Sequence, residues 1–204
     1  MTMLRWRPMD GWEQERPTSA RKLTYDDFCG FPDDGRRHEL IEGEHYVTPS
    51  PATVHQRLVG RLQAALHAYL EGRECGEVFT APFDVVLSMH DVVEPDLLVV
   101  LDDQQDILTD RNVQGAPALV VEILSPGTRR RDETLKRRLY ERAGVREYWM
   151  VDPDGEAVTV CRQAGRGRLD TAAELTKAAG DTLTSPLLPG FELKGSYLFS
   201  TGCR

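Results

Sequence analysis

From Thr53 onward the apolar positions fall at helical spacing. Val54, Leu58, Leu62, Ala65, Leu66 and Tyr69 mark one stripe, so residues 54–71 predict an amphipathic helix. Before it, His38 to Val47 alternates apolar and polar side chains around Gly43, the signature of a β-hairpin, and Thr48-Pro49-Ser50-Pro51 ends it. Leu23 to Phe28 opens a short helix with Thr24 as its N-cap. Three strand-like runs come after the first long helix: Val78 to Leu87, Val92 to Leu101 and Ala118 to Leu124. The last two hold nearly continuous aliphatics, as strands buried on both faces do. Asp102 to Gly115 between them is an acidic connection. Arg129 to Ala143 predicts a second helix, closed by Gly144, and Arg146 to Val151 a fourth strand that turns at Asp152-Pro153-Asp154-Gly155. Glu156 to Cys161 pairs with the stretch of chain after it, and apolar Leu187 to Phe191 packs back on the core.

The order helix, strand, strand, strand, helix, strand predicts an α/β fold. A mixed, twisted sheet is flanked by helices 54–71 and 129–143, with an N-terminal β-hairpin and C-terminal β additions. Residues 1–22 read as a flexible leader, 23–199 as one domain and 200–204 as a tail. A chain of 204 residues suits one full core. Its net charge of −8 argues against a protein that coats nucleic acid by bulk charge, though not against an enzyme with one local basic face. No apolar run reaches the ~18–20 residues that span a bilayer. The N-terminus lacks an apolar signal core, so a cytoplasmic location is the default. Cys29, Cys75, Cys161 and Cys203 form no CxxC pair and read as free thiols, and no HExxH is present.

The chemistry lies in charges set inside apolar runs. Asp96 precedes Leu97-Leu98-Val99, and Glu122 follows Leu119-Val120-Val121. A buried carboxylate costs several kcal/mol unless it is paired or metal-bound. Two on neighbouring strands also repel each other. Either each is a strand-end or ion-paired residue, or the pair holds a hard divalent cation, which prefers carboxylate oxygens.

Pro95-Asp96 followed by Glu122-Ile123-Leu124 on the next strand resembles the PD-(D/E)XK nuclease superfamily. Within it the chain is similar to the Uma-type restriction endonuclease family over about residues 23–199. The carrying segments are His38 to Glu44, Pro82 to Leu87, Val121 to Thr128, Gly144 to Pro153 and Ser185 to Phe191. The resemblance implies a restriction endonuclease-like core. It also implies metal-dependent hydrolysis of phosphodiester bonds, with DNA as substrate, Asp96 and Glu122 holding Mg²⁺ or Mn²⁺, and a homodimer by analogy. The sequence departs from the pattern at its third position, where Leu124 replaces the usual lysine. Some superfamily members supply that charge from the following helix, and Lys136 is the candidate, against the ordinary reading of a solvated helix lysine. Helical spacing puts Asp132, Lys136 and Tyr140 on one face and Arg137 on another.

His55, at the start of the first long helix, is a metal ligand, a proton acceptor or a cap. Glu39 offers a further carboxylate, and Asp84 is a site member or half of an ion pair. Residues 129–142 hold seven bases against three acids, with Arg129, Arg130 and Arg137 as candidate phosphate contacts or as a solvated face. Two other readings compete with an endonuclease. Loss of the motif lysine fits a catalytically degenerate fold kept as a binding or assembly module. A carboxylate–metal hydrolase of small phosphoesters is the other.

Overall fold

The structure, a computed structural model, describes residues 21–200. The expected leader and tail fall outside these residues, except for positions 21, 22 and 200. Helix α1 (Tyr25–Phe28) starts at a capping box: Thr24 accepts from the Asp27 amide, and Asp27 accepts from the Thr24 amide. Strands β1 (Arg37–Ile41) and β2 (Glu44–Thr48) form the expected hairpin. Its two turn residues, Glu42 and Gly43, have φ of 54° and 78°, the left-handed pair that a two-residue hairpin turn requires.

Helix α2 (Thr53–Glu71) buries Leu58, Leu62, Leu66, Tyr69 and Leu70 along one stripe. Val54, expected on that stripe, is 47% exposed because the first turn overhangs a cavity rather than the sheet. Next come β3 (Gly76–Thr80), β4 (Val85–Ser88), β5 (Asp91–Val93), β6 (Leu97–Leu101), β7 (Val113–Gln114) and β8 (Leu119–Ile123). Two runs expected as single strands, 78–87 and 92–101, each divide between two sheets. The chain leaves the first sheet at Ala81-Pro82, adds β4 and β5 to the second, and returns after Glu94-Pro95. Proline donates no ladder hydrogen bond, so each proline marks a place where pairing stops.

The second expected helix is continuous but mixed: a π-helical turn, Arg131–Lys136, runs directly into α3 (Arg137–Ala143) and stops at Gly144 in the left-handed region. The chain closes with β9 (Glu147–Asp152), β10 (Ala157–Ala164), β11 (Arg168–Thr176), β12 (Thr182–Ser185), β13 (Leu188–Lys194) and α4 (Gly195–Leu198). The large sheet has the order β11-β10-β9-β8-β6-β3, with β8 and β9 parallel and its other pairs antiparallel. The second sheet runs β2-β1-β5-β4-β7. With β4 and β5 set aside, the large sheet and its helices follow the expected α-β-β-β-α-β order.

Alternation along the central strands builds two cores. Leu97, Val99, Leu119, Val121 and Trp149 face α2 and the β12–β13 hairpin, where Leu188 and Phe191 pack as expected. Leu98, Val100, Val120, Tyr148 and Leu124 face the other way, toward α3 and the second sheet. Period-two alternation therefore puts Glu122 on the same face as Val120 and Leu124.

Candidate active site

Leu97 pairs with Val121, and one further step of that register sets Asp96 opposite Glu122. The link is direct: the Ile123 amide donates to Asp96 Oδ2 at 2.8 Å. Both side chains are buried, at 3% and 2% exposure. Asp96 also accepts from Arg37 Nη1 at 2.7 Å, and its Oδ2 lies 3.0 Å from His55 Nε2. Burial alone would raise the Asp96 pKa. The His55 hydrogen bond, the Arg37 charge and the Ile123 amide outweigh it and hold the carboxyl down at about 2.

Glu122 is held from the helical segment. Lys136 Nζ donates to Glu122 Oε1 at 2.8 Å, and Tyr140 Oη donates to the same oxygen at 2.8 Å. The ammonium also lies 2.6 Å from Glu39 Oε1 and 3.9 Å from Asp132 Oδ1. Lys136 is only 2% exposed, which overturns the solvated-lysine reading. The face predicted for Asp132, Lys136 and Tyr140 is the buried one. The π-helical turn brings two of those residues, Asp132 and Lys136, to the carboxylates, a use of the extra residue per turn that recurs at functional sites. Burial pushes the Glu122 carboxyl up, and Asp132, Asp96 and Glu39 add to it against the pull of Lys136. Burial opposes the charged form of Lys136, but the surrounding carboxylates more than offset it and raise its pKa.

The remaining expected residues divide. Glu39, fully buried on β1, joins the site through Lys136 and lies 3.4 Å from Arg131. His55 joins through Asp96. Asp84 does neither of the things expected of it. It is half-buried before β4, outside the cavity, with no ion pair among the described residues, and burial raises its pKa. Arg129 forks onto Asp152 at 3.0 and 2.6 Å, and Arg137 donates to the Leu169 carbonyl at 2.7 Å. Neither reaches the cavity, and Arg130 lies exposed outside it.

The cations at the site are others, Arg37 and Arg131. Arg131 donates to Thr48 Oγ1 at 2.9 Å and lies over the Tyr46 ring. Alternation sets Arg37 on the same face of β1 as Glu39, but only the pairing of β1 with β5 brings it to Asp96. Nothing in a run of seven bases singled out Arg131.

These groups form one end of a cavity of about 300 Å³. Thr48 to Ala52, Val54, Ser125 to Thr128 and Pro153-Asp154 make its walls. Glu94 lies behind Arg37, 3.8 Å from its Nε, and burial with the nearby Asp84 charge pushes its carboxyl up to about 7. Among the described residues no three His, Cys, Asp or Glu side chains are arranged to hold a metal ion.

The profile of the Uma2 family, described as "Putative restriction endonuclease", matches residues 24–196, most of the chain. The chain belongs to the Uma2 family. A solved structure titled as a "putative nuclease belonging to DUF820", from Anabaena variabilis ATCC 29413, superposes with a TM-score of 0.74 at 20% identity. The match covers 87% of this chain and 97% of that one, so the fold is shared. No curated protein matches. Among the described residues no helix is long and apolar enough to cross a membrane.

Proposed function

We propose that this Uma2 protein is a metal-dependent endonuclease that hydrolyses phosphodiester bonds in DNA. The observation that carries the reading is the seat of Lys136. A cation has reached Glu122 from the helix, answering the loss of the motif lysine at Leu124.

Asp96 and Glu122, two buried carboxylates side by side on adjacent strands, are oxygen donors of the kind a hard divalent ion prefers. Five carboxyl groups (Glu39, Glu94, Asp96, Glu122 and Asp132) crowd around three cations, Arg37, Arg131 and Lys136. Buried Glu39 Oε2, Glu94 Oε2 and Asp132 Oδ1 accept no hydrogen bond, each lying only within ion-pair distance of Arg131, Arg37 and Lys136 respectively. The excess of carboxyl groups over cations is what Mg²⁺ or Mn²⁺ relieves. Asp96 and Glu122 would hold the ion, which supplies a water of lowered pKa and polarises the phosphoryl oxygen.

The chain's own groups do the rest. Arg37 and His55 keep Asp96 ionised and aimed into the cavity. Lys136 and Tyr140 fix the Glu122 carboxylate, and the ammonium stands beside the site of attack to orient water and offset charge on the phosphate. Arg131 is the cation of the cavity wall available to a non-bridging oxygen. In the reaction the water oxygen bonds to phosphorus and the bond to the leaving sugar oxygen breaks. A proton passes from water to that oxygen, giving a phosphomonoester and an alcohol.

The test is nicking of supercoiled plasmid in Mn²⁺. Wild type should convert it to open circles, and Asp96→Asn and Lys136→Met should each fall by at least about 100-fold, the scale set by removing one charge-stabilising group. A folded wild type that leaves the plasmid intact would favour the inert binding module.

A further inference from the structure

The cavity's shape bears on which DNA can reach its carboxylates. Asp96, Glu122 and Lys136 are almost fully buried. They line a cavity together with two proline-bearing segments, Thr48-Pro49-Ser50-Pro51-Ala52 and Ser125-Pro126-Gly127-Thr128. The space, about 300 Å³, sits at the small end of ligand sites and admits one nucleotide unit, not the width of a duplex. A stacked duplex carries its phosphates on a convex surface. To bring one onto a buried floor the strand has to bend inward, and its nucleotide has to leave the stack.

The walls suit a base. Val54, on the first turn of α2, is 47% exposed at the cavity, and Pro49, Pro51 and Pro126 line it beside Val54. Apolar surface of this kind packs against base faces without reading sequence. The basic segment 129–142 offers duplex phosphates little grip in return. Of the seven bases over 129–142, Lys136 and Arg131 are committed to the site, Arg129 to Asp152, Arg137 to the Leu169 carbonyl and Arg142 to Glu42. Only Arg130 and Arg138 have no such partner among the described residues, and duplex affinity scales with the number of phosphates neutralised.

We infer that the cavity takes one unpaired nucleotide of single-stranded DNA, with its phosphate on the Asp96–Glu122 floor and its base against Val54 and the prolines. The enzyme therefore cuts single strands and unpaired segments in preference to relaxed duplex. This rests on the nuclease reading above. It is consistent with the nicking expected of supercoiled plasmid, in which torsion opens short unpaired stretches.

The experiment compares end-labelled oligonucleotides of one sequence in Mn²⁺ at fixed salt: the single strand, the relaxed duplex, and the duplex with a central bubble. Cleavage of the single strand and of the bubble should exceed that of the relaxed duplex at least 10-fold. Val54→Glu, which sets a negative charge on the wall, should raise KM for the single strand several-fold, with Mn²⁺ affinity unchanged. Anisotropy of the fluorescein-labelled oligonucleotides on Glu122→Gln reports binding apart from cleavage, and should show the same order. Equal or faster cutting of relaxed duplex, or equal binding of both forms, overturns this inference and leaves the nuclease reading standing. Failure to cut the single strand, the bubble and supercoiled plasmid alike overturns both.

Discussion

At the scale of single residues, Lys136 faces three carboxylates, and this imbalance makes its removal and theirs unequal. Lys136→Met leaves Glu39, Glu122 and Asp132 buried without their shared cation, and should cost about 3–5 kcal/mol in denaturant unfolding. Glu122→Gln keeps the shape, relieves carboxylate crowding, and leaves Lys136 with Glu39 and Asp132. Its metal-free stability should match or exceed wild type, while Mn²⁺-dependent nicking disappears. A loss of several kcal/mol in Glu122→Gln would instead mark Glu122 as half of a structural ion pair. Asp96 and Glu122 were legible in the sequence because each interrupts an aliphatic run. Arg37 and Arg131 were not. Arg37 lies 59 residues from Asp96 along the chain, and only the pairing of β1 with β5 brings it near.

At the scale of elements, the helical segment 131–143 places Lys136 and Tyr140, and its start is pinned to β9 by Arg129 on Asp152. The Arg129 hydrogen bonds hold the Asp152 pKa below its ordinary value. The stabilisation is therefore present above the ordinary carboxyl value near 4 and lost as pH falls through the lowered one. Both partners are partly exposed, so the pair is worth about 0.2–1 kcal/mol. Asp152→Asn should lose that much at pH 6 and nothing more at pH 2, as read by urea unfolding.

Helix α2 makes a contrasting case. Leu66→Ala should cost about 2–5 kcal/mol through the cavity it leaves. Mn²⁺ affinity of the folded fraction should not change, because Leu66 faces the sheet away from the carboxylates. The periodicity of α2 and the alternation of the hairpin were readable in the sequence, because each element buries one face. The excursion of β4 and β5 was not. Val92-Val93 and Leu97 to Leu101 read as one apolar run, and only the sheet to which each half pairs separates them.

At the scale of the whole molecule, the large sheet carries Asp96 and Glu122 side by side, the second sheet delivers Arg37 and Glu39, and the helical segment closes the group with Lys136. Each element is stable for its own apolar reasons, and the charges meet where the three converge. The order of the core was legible in the sequence. The convergence was legible only in part, since it depends on how the second sheet packs. Most bases of the helical segment engage partners within the fold, so the run of arginines in the sequence does not gather at the cavity.

The most direct test of the account is calorimetric titration of Mn²⁺ into wild type and Glu122→Gln at the same pH. Wild type should give a saturable heat, and the variant should lose it or bind at least about 10-fold more weakly. A folded wild type that takes up no Mn²⁺, or a variant that binds it equally well, would contradict a metal-dependent site at Asp96 and Glu122.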